Sequence, residues 1–291
     1  MDQRNNKLGW MFASPYLIYS LIFFFVPLLW SLFLSFTNWD LIAPTFNFVG
    51  ISNFLDALQS PAVHAAFWNT YKFMMIFVPL VTVMAIGLAV VVHGLPRFKG
   101  LFLIGFFLPY LSSGVVSALI VKGLLSYTSP VNEFLRGIGM DINWLGSPFS
   151  ALFVVGLILA WKFTGYYALI ITSGLESIDK EVYEAAAIDG VKDSQRFWRI
   201  TLPLLYPSLY TTLILAFGVT FGIFTEVYQL TGGGPGNATN TWQMEIFKQA
   251  FSNMQVGYAS AVALLASLAT FASIFVIRKI LEIWGKRNGW V

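Results

Sequence analysis

Residues 67–92 read FWNTYKFMMIFVPLVTVMAIGLAVVV, with one charged side chain, Lys72, in the whole stretch. From Phe73 to Val92 there is no charge at all. A helix needs about 20 apolar residues to cross a hydrocarbon layer, so this run is long enough to span a bilayer. Backbone polar groups have no water partners in lipid and must be satisfied within the segment, which selects a helix. A strand of a membrane barrel would alternate polar and apolar residues, and this run does not.

Working outward, the same pattern recurs at Pro15–Phe36, Leu101–Leu124, Phe149–Ser173, Leu204–Tyr228 and Gly257–Ile277, giving with Phe67–Val92 six expected spans. The first block is too long for a signal-peptide core and lacks a small-residue cleavage pattern, so it is read as a permanent span. The composition agrees: 57% of the 291 residues are hydrophobic and only 11% are charged, against about a quarter charged in soluble domains. The fold class expected is an all-α membrane protein, and residues 1–291 are read as one transmembrane domain. A soluble enzyme is excluded.

The chain has no cysteine and only two histidines, His64 and His93, far apart in sequence. No disulfide framework or cysteine metal site is possible, no metal site or cofactor is expected, and no catalytic residues are assigned. The net charge of +3 reflects topology rather than nucleic-acid binding. Arg4 and Lys7 precede the first span, and Arg97 and Lys99 separate the second from the third. Lys180, Lys192, Arg196 and Arg199 lie between the fourth and fifth, and Arg278, Lys279, Lys286 and Arg287 follow the sixth. The opposite face holds mainly Arg136 and Lys248. Lysine and arginine concentrate on the cytoplasmic side, so both termini and the loop between spans four and five are expected there.

Pro27, Pro79 and Pro109 fall inside spans. Each lacks an N–H and frees a carbonyl, producing either a packing kink or a flexible gate. Lys162 lies near the middle of span four, either lining a cavity or pairing with another helix, because an unpaired intramembrane charge is costly. Lys72, Lys122 and Glu226 sit near the outer ends and are expected to snorkel to the interface.

The loop 177–203 differs from everything around it. Asp179 is placed to cap a helix N-terminus, with Glu181 in the first turn where the dipole favours an acid. Val182, Ala185, Ala186 and Asp189 recur at helical spacing on one face. Gly190 stands where such a helix would end in a left-handed conformation. A short helix with a smooth alanine face, ended by a sharp turn, suits docking into a groove on a cytoplasmic partner.

Within that loop Glu184-Ala185-Ala186 is followed by three residues and Gly190, then by nine residues and Ile200, Leu202 and Pro203. This resembles, at every signature position, the EAA loop of ATP-binding-cassette importer permeases. Three further stretches resemble the carbohydrate-uptake, maltose-type branch of that family. They are Thr231-Gly232-Gly233-Gly234-Pro235 in the outer loop 230–240, Tyr258-Ala259-Ser260-Ala261, and Leu34-Ser35-Phe36-Thr37-Asn38-Trp39.

The resemblance implies a type I importer permease fold of six helices, in the cytoplasmic (inner) membrane of a prokaryote. It implies a non-catalytic subunit that takes up a sugar or oligosaccharide. Its implied partners are a second homologous permease, two copies of a cytoplasmic ATPase, an extracytoplasmic sugar-binding protein and membrane lipid, with no nucleic acid. No Gly-x4-Gly-Lys-Ser/Thr occurs in this chain, so ATP would be held elsewhere.

Glu184, Ala185, Ala186, Asp189 and Gly190 are then the ATPase-coupling candidates. Gly232, Gly233, Gly234 and Pro235 are the binding-protein contact, with a plain flexible turn as the alternative for that loop. Tyr110, Thr164 and Tyr167 match sugar-facing positions. Val219, Thr220 and Ile223 stand where maltose-type permeases carry asparagines, so much of that polarity is missing. Lys162 joins them on the substrate path. The same machinery moving a polyol or glycerol phosphate, or an ion-coupled secondary transporter, are the alternatives.

Overall fold

The computed structural model describes residues 3–290, with 3–8 by backbone alone, so the side chains of Arg4 and Lys7 fall outside it. The described residues are helical, and their β structure is one isolated bridge between Thr37 and Phe48. Four helices are long and apolar enough to cross a membrane: Gly9–Leu34, Pro61–His93, Pro148–Glu176 and Val256–Arg287. Two bent pairs, Lys99–Leu111 with Gly114–Leu124 and Asp193–Leu204 with Tyr206–Phe221, make six if each pair is one span.

The bends correct two expected spans. Leu101–Leu124 is not one rod: it turns by 94° at Ser112 and Ser113, whose backbones leave the helical region, with ψ 148° and 133°. The Ser112 hydroxyl donates to the Pro109 carbonyl at 2.6 Å, an example of serine offering the backbone an alternative to the helix ladder. Leu204–Tyr228 also divides. Its helix runs only from Tyr206 to Phe221, after a 68° bend at Leu205 between Pro203 and Pro207, and a separate short helix, Thr225–Leu230, follows.

Two prolines are each preceded by a widened turn. Leu21–Phe25 is π-helical just before Val26 and Pro27, and Val26 N–H reaches back to Leu21 O. Phe197–Thr201 repeats this before Leu202 and Pro203, with Leu202 N–H on Phe197 O. A proline ring crowds the carbonyl four residues earlier, and a wider turn relieves that contact. Pro79 sits inside the unbroken helix Pro61–His93.

The chain forms two compact units. One comprises 3–64 with Glu245–Ser267. In it the first span's exit is tied down by Asn53, whose Nδ2 donates to Ser35 O at 2.9 Å and Thr37 O at 2.8 Å. Gly257 packs on the same turn. A Cβ there would stand 2.0 Å from Thr37 O, so only glycine lets the Tyr258-Ala259-Ser260-Ala261 segment approach.

The other unit comprises Ala65–Met244 and 268–290. Its centre is Pro148–Glu176, which opens with a Ser147–Ser150 capping box and buries 16 residues, among them Leu159, Lys162, Tyr167 and Ile171. Small residues let helices pack closely in membranes. A Cβ on Gly165 would lie 2.0 Å from Phe106 O, and one on Gly174 would lie 2.2 Å from Ser208 Oγ. The helices Lys99–Leu111 and Tyr206–Phe221 therefore both pack on glycines of this helix.

Candidate functional site

The loop helix forms over Lys180–Ile188. Its C-terminus is a full Schellman arrangement: Val191 N–H bonds Ala186 O at 3.0 Å, and Gly190 N–H bonds Ala187 O at 3.1 Å. Gly190 has φ 68°, the left-handed conformation that glycine adopts without a Cβ clash. The N-terminus departs from expectation. Asp179 occupies the cap position with an extended backbone, but its side chain makes no capping hydrogen bond.

Of the predicted docking face, Ala186 is turned inward, at 4% exposure. Val182, Glu184, Ala185 and Asp189 are exposed, and Ile188 next to them is 87% exposed. The helix therefore presents an alanine and an isoleucine outward between two carboxylates. Behind it, Thr201 Oγ1 donates to Tyr183 Oη at 3.4 Å, and the Arg196 guanidinium lies 5.9 Å from the Tyr183 ring centre.

The second cluster is aromatic, with Tyr167 buried and Tyr110, Phe163 and Tyr166 half-buried. Tyr110, on the bent third span, stacks on Tyr166 with centroids 4.7 Å apart. Phe163 bridges Tyr110 and Tyr167 at 5.3 and 5.9 Å. Tyr167 is fully buried, and its hydroxyl has no hydrogen-bond partner among the described residues. Thr164 and Thr220 are also buried, but each hydroxyl bonds its own helix, to Ala160 O at 2.6 Å and Ala216 O at 2.9 Å. Ile223 is buried and Val219 half-buried at the end of the fifth span.

Lys162 resolves to one of its two expected fates. Its Nζ lies 2.9 Å from Glu226 Oε1, with both residues under 10% exposed. Glu226 accordingly does not snorkel: it sits on the short helix Thr225–Leu230 and points inward. Lys72 and Lys122 are exposed, as expected of interfacial lysines, and Lys122 donates to Gln229 O at 3.0 Å.

Gly114, just after the break in the third span, abuts the pair. A Cβ there would be 2.9 Å from Glu226 Oε1 and 3.2 Å from Lys162 Nζ. Sequence reasoning missed the pairing, although a signal was present. A lysine in mid-span needs a counter-charge, and Glu226 was the acid read into an adjacent span.

The glycine-rich segment is a loop stitched by hydrogen bonds. Gly232, Gly233, Gly236 and Asn237 take positive φ. The Thr239 hydroxyl lies 2.7 Å from both Thr231 Oγ1 and Gly234 O. From the second span, Asn69 Nδ2 donates to Asn237 O at 2.6 Å and Asn240 O at 3.2 Å. Gly233 is buried, while Gly232, Gly236 and Asn237 remain exposed.

Over 262 residues the chain is 33% identical to the multiple sugar-binding transport system permease protein of Streptococcus mutans, covering 90% of each. Over 284 residues it is 34% identical to the lactose transport system permease protein of Rhizobium radiobacter, covering 93% of this chain and 94% of that one. The crystal structure of a bacterial alginate ABC transporter, in complex with alginate pentasaccharide-bound periplasmic protein, contains a chain of the same fold. That chain matches with a TM-score of 0.82 at 21% identity, over 94% of this chain and 93% of its own length. Residues 96–283, which hold the helix Lys180–Ile188, the ion pair and the glycine-rich loop, match the model of the binding-protein-dependent transport system inner membrane component, and the chain belongs to that family of transport permeases.

Proposed function

We propose that this chain is the permease subunit of an ATP-driven importer that takes up a sugar or oligosaccharide handed over by an extracytoplasmic binding protein. The observation that carries the coupling half of this reading is the helix Lys180–Ile188, which ends in a Schellman turn at Gly190 and leaves Glu184, Ala185 and Asp189 exposed. An apolar, small-residue surface between carboxylates fits a groove on an ATPase, and the turn fixes the helix's direction. Glu184, Ala185 and Asp189 make the contact, Ala186 seats the helix on its own bundle, and Gly190 sets the angle.

Residues 1–291 act as one transmembrane domain of six spans, with each bent pair crossing once. Both termini lie in the cytoplasm of a prokaryote, following the lysine and arginine distribution. A second, homologous permease completes the channel, and two copies of the ATPase drive it. The turn Gly232, Gly233, Gly234 and Pro235, exposed at Gly232 and half-buried at Gly234 and Pro235, receives the binding protein, supported by the hydrogen bonds that hold this loop in one shape.

The solute path runs past Tyr110, Lys162, Thr164, Tyr167, Val219, Thr220 and Ile223. The unpartnered Tyr167 hydroxyl among stacked rings supports a carbohydrate there. A glycerol phosphate is less well supported, because Lys162 already has its counter-charge in Glu226. Family membership leaves an ion-coupled carrier without a role for the loop.

Affinity purification of the chain from mild detergent tests the reading. An ATPase and a second six-span permease should co-purify, and Gly190→Pro or Glu184→Lys should release the ATPase while the permease pair stays together. A chain that purifies alone and moves solute into vesicles without ATP would overturn it.

A further inference from the structure

The last turns of the helix Val256–Arg287 and the first turn of Tyr206–Phe221 enclose a pocket that no part of the transport mechanism uses. It has a volume of about 360 Å³. Tyr206, Pro207, Tyr210 and Trp290 form its walls, with Glu282 and Lys286 at its polar edge.

The pocket is built by a second Schellman turn. Gly289 has φ 67°, Trp290 N–H bonds Gly285 O at 2.9 Å, and Gly289 N–H bonds Lys286 O at 3.2 Å. This turn folds Trp290 back against Trp284, with centroids 4.4 Å apart, and against Tyr206 at 5.8 Å. The Tyr206 hydroxyl donates to Leu281 O. Its ring lies on Gly285, where a Cβ would come within 2.6 Å of it.

The charges around the pocket are unequal. Glu282 accepts from Arg278 at 2.8 Å, Lys279 at 3.3 Å and the Tyr210 hydroxyl at 3.4 Å. Its charge is thus fully engaged. Lys286 is exposed, and its ammonium makes no ion pair or hydrogen bond among the described residues. On the same turns Ile280, Ile283 and Trp284 are exposed at 58%, 64% and 46%. Side chains of that kind place the surface among acyl chains up to the helix end, and tyrosine and tryptophan collect at headgroup depth.

We propose that this pocket binds one anionic phospholipid, with the phosphate on Lys286 and an acyl chain along the wall formed by Tyr206, Pro207 and Trp290. A soluble anion would gain nothing from the aromatic walls, and a neutral apolar ligand would gain nothing from Lys286; an anionic lipid uses both. Basic pockets between helices on the cytoplasmic side are suited to such headgroups. The bound lipid braces Tyr206 and Pro207, the joint at which the docking loop rejoins the bundle.

The test is tryptophan quenching of the full chain in phosphatidylcholine nanodiscs doped with acyl-brominated phosphatidylglycerol or, separately, acyl-brominated phosphatidylcholine. The signal of Trp290 is the difference between the wild type and Trp290→Phe. A lysine near an anionic surface contributes about fivefold in partitioning. Brominated phosphatidylglycerol should therefore quench Trp290 roughly fivefold more effectively at equal mole fraction, and Lys286→Gln, which keeps every tryptophan, should abolish that preference. Equal quenching by the two lipids, a preference that survives Lys286→Gln, or no quenching by either would overturn the proposal.

Discussion

The loop helix Lys180–Ile188 and the segment 225–240 bracket the fifth span in sequence, and they are built in opposite ways. The first closes on itself. Its two Schellman hydrogen bonds join residues within a few positions of each other, and only Ala186 is buried. The second is held from far away. Glu226 is anchored by Lys162, and Asn237 and Asn240 by Asn69. A locally closed helix end keeps its shape through its own neighbours in the chain. A segment tied to the second and fourth spans cannot move unless they do.

The largest expected effect tests that contrast at the ion pair. Removing one partner of a buried pair strands the other charge, at a cost of about 3–5 kcal/mol. Glu226→Ala should therefore lower the thermal midpoint of the chain in detergent sharply, and the charge swap Lys162→Glu with Glu226→Lys should recover much of it. A single variant that melts like the wild type would mean that the segment is not anchored there.

A smaller effect is expected at Asn69. Its side chain donates two hydrogen bonds to backbone carbonyls of the loop, each contributing about 1 kcal/mol net. Asn69→Ala should raise hydrogen exchange over 232–240 while leaving exchange in Lys180–Ile188 unchanged. Equal loosening of both regions would erase the distinction drawn between them.

The smallest effect is expected at Asp179. A side-chain cap is typically worth about 1 kcal/mol, but Asp179 makes no such bond. Asp179→Ala should change helix protection by less than about 0.5 kcal/mol, as read by exchange of the first-turn amides. A loss near the usual cap value would show that the N-terminus depends on this side chain as well as on local geometry.

The same contrast explains which features were legible in advance. Gly190 was readable because a left-handed helix end selects glycine at a fixed place in a local pattern. The apolar spans were readable because lipid removes every alternative to internal hydrogen bonding. The breaks were not. Pro109 marked a disturbance, but the 94° turn falls three residues later, at two serines, the first of which turns its hydroxyl onto the Pro109 carbonyl. The end of the fifth span at Phe221 was hidden for a similar reason: apolar residues continue past it, and hydropathy does not register a change of direction.

Sequence by itself therefore determined the all-helical membrane class, the position of the loop helix and its turn, and the resemblance that family membership bears out. Each of these depends on interactions within a few residues or on the solvent the segment must face. Tertiary structure alone decided that Lys162 meets Glu226 beside Gly114, that Asn69 fixes the glycine-rich loop, and that Ala186 turns inward while Ala185 faces out. Those outcomes join residues up to 171 positions apart. A buried charge or carbonyl must find a partner, but its own neighbours in the chain do not say which one the packing will bring within reach.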